Sequence, residues 1–392
     1  MIKAYKTELK LTKQQQQKAL QSVGVCRFLY NSFIAYNQKQ YASGGKYTTG
    51  MEYAKIVNHQ IKEEKPWISD CGSKAWKQAL LNADKAFKKF FKKQSGFPKF
   101  KKKGVSEPSL YFPNQNNDVR TERHRIRIPT FGWVRLKEFG YLPTKGVRSV
   151  TISCKYGRWF VSVLTNVTDA DKTSIEKLSK GIGIDVGIER YLTHSNKKYF
   201  KNINKTKKIK HLTKRTKKVQ RRIAKSQKGS SNRCKLRTRL QTLHRRITNI
   251  RVDYENKVIN KLVKTKPAFV VVEDLDIKRM LKNRHLARSI SEMRWYSFFK
   301  KLETKVTSYG GLFIKATRFY PSSKLCSCCG YKNDKLKLKD RVFICPNCGY
   351  AANRDLNAAF NLANLGYRWL DGNRHLRAND CELLKTKVTS VK

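Results

Sequence analysis

Three acidic residues stand in settings where a carboxylate can do chemistry. Lys180-Gly181-Ile182-Gly183-Ile184-Asp185-Val186-Gly187 reads as a short buried strand that ends on a carboxylate and then turns on glycine. Phe269-Val270-Val271-Val272-Glu273 repeats the arrangement. An acid at the end of an apolar strand is partly buried, and ionising it there is costly unless a cation compensates. Asp355 is placed differently. Asn353 reads as the N-cap of a helix with Leu356, Ala359, Phe360 and Ala363 on one face and Gly366 as its terminator, which puts Asp355 in the first turn. Three acids from separate segments suit Mg²⁺ (or Mn²⁺), a hard cation that takes a few carboxylates and keeps positions open for phosphate oxygens. Two such ions about 3.5 to 4 Å apart activate a water and stabilise the leaving oxygen of a phosphodiester, with the acids as ligands and not nucleophiles. Singly, each acid is a weak signal: Asp185 could cap the following turn, and the helix dipole favours an acid at 355 anyway. Glu189, Asp274 and Asp276 stand nearby as alternatives.

A second metal signal is sharper. Cys326-Ser327-Cys328-Cys329-Gly330 and Cys345-Pro346-Asn347-Cys348-Gly349 form two knuckles separated by fifteen residues, the spacing of a tetrahedral structural Zn²⁺ ribbon. Taking Cys326, Cys329, Cys345 and Cys348 as ligands gives C-x-x-C-G in both halves and leaves Cys328 as a bystander. A redox role fits four cysteines at paired spacing far less well. The remaining five, Cys26, Cys71, Cys154, Cys234 and Cys381, are scattered and read as ordinary small residues.

The elements that position these groups lie in a chain of 392 residues with 86 Lys plus Arg against 28 Asp plus Glu, a formal charge of +58. A compact state so charged repels itself unless a polyanion binds, and the excess recurs from Lys3 to Lys392 instead of filling one tail, so nucleic acid is the expected partner. No run of about 18 apolar residues and no apolar leader segment occurs, so no membrane span or secretory signal is expected. A reducing, cytoplasmic location beside a prokaryotic nucleoid, or a nuclear one in a eukaryote, follows as the expectation.

After a first strand over Ile2 to Leu11, Thr12 and Gln15 give a capping-box signal, and Leu20, Val23, Tyr30, Phe33 and Ile34 continue at helical spacing. Trp76, Ala79, Leu80, Ala83, Phe87 and Phe90 form a second helical stripe, stopped at Ser95-Gly96-Phe97-Pro98. From about residue 105 the period becomes two, with Tyr156-Gly157 as a hairpin turn, which predicts a small β-barrel or sandwich. Between Glu189 and Asp253 there is no acid, and residues 201 to 250 carry nineteen Lys or Arg. Apolar residues stepping by threes and fours on both sides of Gly229-Ser230-Ser231-Asn232 predict a helical hairpin. Its unrelieved basic face, including Lys214, Arg215, Lys217, Arg221 and Arg222, is disfavoured in water and points to an anionic partner.

Taken in order, Gly183-Ile184-Asp185-Val186-Gly187, Val272-Glu273-Asp274-Leu275, the two C-x-x-C-G knuckles and Asn353-Arg354-Asp355-Leu356-Asn357-Ala358-Ala359 resemble the TnpB proteins of insertion-sequence transposons. These OrfB-type proteins, long labelled transposases, are relatives of type V CRISPR effector nucleases. The resemblance extends to Cys26-Arg27-Phe28-Leu29-Tyr30-Asn31, to Gly96-Phe97-Pro98-Lys99-Phe100 and to the basic hairpin. It implies an α/β plus β fold class: a RuvC-like nuclease domain of the ribonuclease H fold with a zinc ribbon inserted before its last motif, and an N-terminal β-barrel wedge domain interrupted by a helical recognition domain. The expected boundaries are 1–11 and 105–179 for the wedge, 12–104 for recognition, 180–324 and 350–368 for the nuclease with its basic hairpin at 205–263, 325–349 for the ribbon, and 369–392 for a basic C-terminal tail. It also implies that a guide RNA directs cleavage of target double-stranded DNA beside a short flanking motif, with Asp185, Glu273 and Asp355 as the family's three acids. Asn353 departs from the Asp of many members, but the carried-over ligand is the second acid of that motif. The rival readings are a DNA transposase or accessory transposition protein that joins strands, and a nucleic-acid-binding regulator, which the presence of all three acids disfavours.

Overall fold

The computed structural model describes residues 2–104, 107–115, 117–166, 178–337 and 339–372. The chain divides into two compact units, Met1–Thr168 and Asp169–Lys392.

The first unit is built around its N-terminal strand. β1 (Ile2–Lys10) pairs antiparallel with β7 (Arg158–Asn166) from Ile2↔Asn166 to Glu8↔Phe160, and at its other end with β5 (Gly132–Leu136) through Leu9↔Leu136. The sheet has the order β2-β6-β7-β1-β5-β4-β3, with β2 at Ser109–Pro113, β3 at Arg120–Thr121, β4 at Arg125–Ile128 and β6 at Val147–Lys155. β6 and β7 are joined at Tyr156-Gly157, both with positive φ (53° and 71°), the conformation that a two-residue primed turn demands. Along β4, Ile126 and Ile128 point into the core while Arg127 faces out, as the period of two requires.

Among the described residues between β1 and β2 are four α-helices: α1 (Lys13–Ala42), α2 (Gly50–Ile56), α3 (Lys62–Glu64) and α4 (Ser73–Phe91). Thr12 and Gln15 close the capping box on α1, and Gln15 Nε2 also donates to the Phe131 and Trp133 carbonyls. Ala19, Ser22, Cys26, Leu29, Phe33 and Asn37 mark the buried stripe of α1; Leu20 lies one residue off it and is exposed. The α4 stripe is buried from Trp76 to Phe87, with Phe90 at its solvent edge.

The second unit is a five-stranded sheet of order β10-β9-β8-β11-β12. β8 (Ile182–Val186), β11 (Phe269–Val272) and β12 (Leu312–Lys315) run parallel, and β9 (Arg190–His194) and β10 (Tyr199–Lys201) continue it antiparallel. Both faces are covered, which is why β11 is apolar at every position. Val270 and Val272 join a core with Val258, Phe298 and Leu302, while Phe269 and Val271 pack with Leu362 and Leu365. The helices of this unit are α5 (Lys207–Lys225), α6 (Ser231–Val263), α7 (Ile277–Met280), α8 (Ala287–Met293), α9 (Trp295–Ser308) and α10 (Arg354–Gly372). A short hairpin of β13 (Val342–Ile344) and β14 (Ala351–Asn353) precedes α10.

α10 corrects one expectation. Gly366 does not end it; the helix continues to Gly372, through the first residues of the expected C-terminal tail, whose remainder lies outside the described residues. A Cβ at Gly366 would fall 2.2 Å from the Phe269 ring, so this glycine is there for close approach to β11 and not for a left-handed cap.

Candidate active site and cysteine cluster

The register of the sheet places two of the acids. Val272 of β11 pairs with Ile184 of β8, so the next residues, Glu273 and Asp185, fall side by side at the carboxyl ends of adjacent parallel strands. That edge is where open α/β sheets bind ligands, because the loops leave a crevice there.

The third acid is set by a glycine. A Cβ on Gly183 would stand 2.1 Å from the Ala359 carbonyl oxygen and 2.4 Å from the Ala363 amide, so α10 rests directly on β8 only because that position has no side chain. Asp355, Ala359 and Ala363 step by four residues along one helix face. The turn of α10 that precedes Ala359 carries Asp355, whose charge acts on Asp185. Asn353 caps this turn, its Oδ1 accepting from the Asp355 and Leu356 amides at 3.2 and 3.4 Å.

The three carboxylates lie near enough for charge to act between them at Asp185 and Glu273. Burial pushes the Asp185 carboxyl well above its ordinary range, and the charges of Glu273 and then Asp355 push it further, while the Arg354 cation opposes them. Glu273 is also raised by burial, opposed by the hydrogen bond that Ser322 Oγ donates to its Oε1 at 2.6 Å. Half-buried like charges beside the Arg354 cation form a set that a divalent ion would relieve, and their oxygen chemistry fits Mg²⁺. The alternatives are otherwise engaged. Asp274 and Asp276 pair with Arg318 at 3.3 and 3.6 Å, Asp276 also caps α7, and Glu189 pairs with Arg341.

The cysteines form the tighter cluster: among the described residues, the sulfurs of Cys326, Cys329, Cys345 and Cys348 all lie within 4.8 Å of one another. Cys326 and Cys348 are 3.7 Å apart and Cys329 and Cys345 3.5 Å, close to the roughly 3.8 Å edge of a tetrahedron with 2.3 Å metal–sulfur bonds. Each knuckle repeats the same turn. Gly330 N–H donates to the Cys326 carbonyl and Gly349 N–H to that of Cys345, both glycines having positive φ (77° and 72°). Cys328 is exposed and outside the cluster.

The basic hairpin is present as α5 and α6, closed by Leu212, Val219, Leu236, Leu243 and Ile247. Lys214, Arg215, Lys217, Arg221 and Arg222 all face solvent along α5.

Family profiles match three parts of the chain: residues 162–284 match one described as "Probable transposase" (OrfB, IS605), residues 295–362 a "Cas12f1-like, TNB domain", and residues 1–46 a "Helix-turn-helix domain". The chain is 30% identical over 382 residues to "Putative RNA-guided DNA endonuclease InsQ" of Escherichia coli (strain K12), covering 93% of this chain and 92% of that one. It is 32% identical over 372 residues to a "Putative RNA-guided DNA endonuclease" of Streptomyces pristinaespiralis, covering 93% and 89%. The chain belongs to the TnpB/OrfB (IS605) family. Its fold is also that of a Cas12f1 chain solved in a "Cas12f1-sgRNA-target DNA complex", with a TM-score of 0.52 at 17% identity over 90% of this chain and 83% of that one. The cysteine cluster of this TnpB/OrfB chain lies within the segment that matches the Cas12f1-like profile. Among the described residues, no helix is long and apolar enough to cross a membrane.

Ser322 and Asn361 carry no assignment from the sequence, and Arg354 and Asn357 enter there only as members of the Asn353–Ala359 motif, with no role given. The two asparagines left a trace, since they interrupt the buried face of α10 at i, i+4 spacing and are almost wholly buried. Ser322 left none.

Proposed function

We propose that this protein is an RNA-guided DNA endonuclease that hydrolyses phosphodiester bonds at Asp185, Glu273 and Asp355, with Mg²⁺ (or Mn²⁺) held by these carboxylates. The observation that carries the reading is the convergence of two neighbouring parallel strand ends and a capped helix start on one edge of the second unit. The bound ions would supply positive charge for an attacking water and for the leaving oxygen. The chain's own part is to gather three carboxylates that repel each other, to orient Glu273 through Ser322, and to keep the Arg354 cation beside them.

Zn²⁺ on Cys326, Cys329, Cys345 and Cys348 is read as structural, because four thiolates complete a tetrahedron and leave no open position. The second unit is read as a RuvC-like ribonuclease H domain (180–324 and 350–368) carrying the ribbon at 325–349. The first is read as a β-barrel wedge domain (1–11 and 105–179) with the helical recognition segment 12–104 inserted. Guide RNA and target double-stranded DNA are the proposed partners, supported by the names of the two relatives and by the RNA and DNA bound in the Cas12f1 complex. Lys214, Arg215, Lys217, Arg221 and Arg222 are proposed phosphate contacts.

A direct transposase remains the second reading, favoured by the description of the profile over residues 162–284. The deciding assay combines protein, Mg²⁺ and target DNA with matched RNA, mismatched RNA or none. Cutting with the matched RNA alone, abolished by EDTA, is the expected result; equal cutting in all three, or joined strands instead of breaks, assigns the protein to the transposase class.

A further inference from the structure

We infer that Ser322 is a positioning residue for Glu273, and that two buried asparagines on α10 tie its position to the cysteine knuckle. The inference rests on the metal-binding reading of the acids.

Ser322 is buried, and its hydroxyl donates to Glu273 Oε1 at 2.6 Å. One oxygen of the carboxylate is thereby held in place, leaving the other free to turn toward a cation. The backbone of Ser322 is itself fixed. Asn361 Nδ2 donates to its carbonyl at 2.7 Å and to the Leu325 carbonyl at 2.7 Å. One turn earlier, Asn357 Nδ2 donates to Leu325 O at 2.6 Å while its Oδ1 accepts from the Ser327 amide at 3.0 Å. The stapled segment, residues 322 to 327, contains Cys326, whose sulfur is 3.7 Å from that of Cys348.

Burying two amides is costly unless their hydrogen bonds are made, and these two spend theirs on one segment. α10 thus indexes all three acids. It carries Asp355 in its first turn, it lies on β8 at Gly183 two residues before Asp185, and it reaches Glu273 through Asn361 and Ser322. The cysteine cluster anchors the far end of the same segment, so its order is transmitted to a carboxylate it does not touch.

The experiment titrates the full chain, loaded with guide RNA, with Mn²⁺, reading free Mn²⁺ by electron paramagnetic resonance and the cleavage rate in parallel. Groups that orient metal ligands typically change metal affinity 10- to 100-fold. Ser322→Ala should weaken the Mn²⁺ midpoint about 10-fold, with a smaller fall in the rate at saturating Mn²⁺. Ser322→Cys, of similar shape but a poor donor, should behave likewise, and Ser322→Thr should restore the midpoint; unchanged zinc content in each reports an intact knuckle. Ser322→Ala and Ser322→Cys titrating at the wild-type midpoint, while Asp185→Asn abolishes binding, would overturn the inference alone. Mn²⁺ binding indifferent to Asp185→Asn would remove the acid site, and this inference with it.

Discussion

At Asp185, burial first and then the charges of Glu273 and Asp355 oppose ionisation, and the Arg354 cation favours it. Its folded form holds a proton more tightly than the unfolded chain does, so the folded state binds more protons over that interval. Stability therefore falls as pH rises from the ordinary Asp value of 3.8 through the raised folded value, and Mg²⁺ should restore it. Asp185→Asn removes the charge and keeps the shape. It should raise the metal-free melting temperature at neutral pH by about 2 to 4 °C, for roughly 1 kcal/mol of relieved repulsion, while abolishing cutting. Scanning fluorimetry with and without Mg²⁺ checks this; a variant melting at or below wild type in EDTA would refute the repulsive arrangement. The acids were legible in the sequence because each closes an apolar strand or opens a capped helix. Ser322 was not, since its partner is 49 residues away and a serine near a cysteine knuckle has no distinguishing neighbourhood.

Among the elements, α10 does most to assemble the site, and two glycines allow it. Gly183→Ala forces a methyl into the Ala359 carbonyl, which is backbone and cannot yield, so the helix must lift from β8. A loss of about 1 to 3 kcal/mol is expected, with cleavage falling far more than stability because Asp355 moves with the helix. For Gly366→Ala the three atoms nearest the new methyl all belong to the Phe269 ring, a side chain that can turn. Combining it with Phe269→Leu should recover part of the loss, a coupling that separates the two positions; additive losses in the double variant would show that the ring is not the obstacle. In the sequence Gly366 reads as a terminator because glycine marks a helix end and a close approach with the same letter. Only the facing residue distinguishes them, and Phe269 is 97 positions earlier. The basic hairpin was read more fully: its seam residues repeat within each helix, so local period alone fixes Leu212, Val219, Leu236 and Leu243 as interior.

At the scale of the whole molecule, a formal charge of +58 makes salt the dominant variable in binding. Each duplex phosphate neutralised contributes a slope of about −0.9 to log affinity against log salt. Changing Lys214, Arg215, Lys217, Arg221 and Arg222 together to Gln should flatten that slope by up to about 4.5, the figure reached if all five meet duplex phosphates, and should leave Mn²⁺ binding unchanged. An unaltered slope would show that α5 faces something other than nucleic acid. The division into two units was less legible than the elements within them. β1 is only nine residues long and its partners lie more than a hundred residues on, so no local pattern announces that it belongs with them.

The same strand has a consequence during synthesis. Ile2 through Glu8 emerge from the ribosome well before their partners on one side, Phe160 through Asn166, which are made about 150 residues later. At about 5 to 20 residues per second the strand waits roughly 8 to 30 s with that edge unpaired. For that interval its lysines, Lys3, Lys6 and Lys10, are the guard against pairing with another nascent chain, a task that charge on an open strand performs before its partner strand is made.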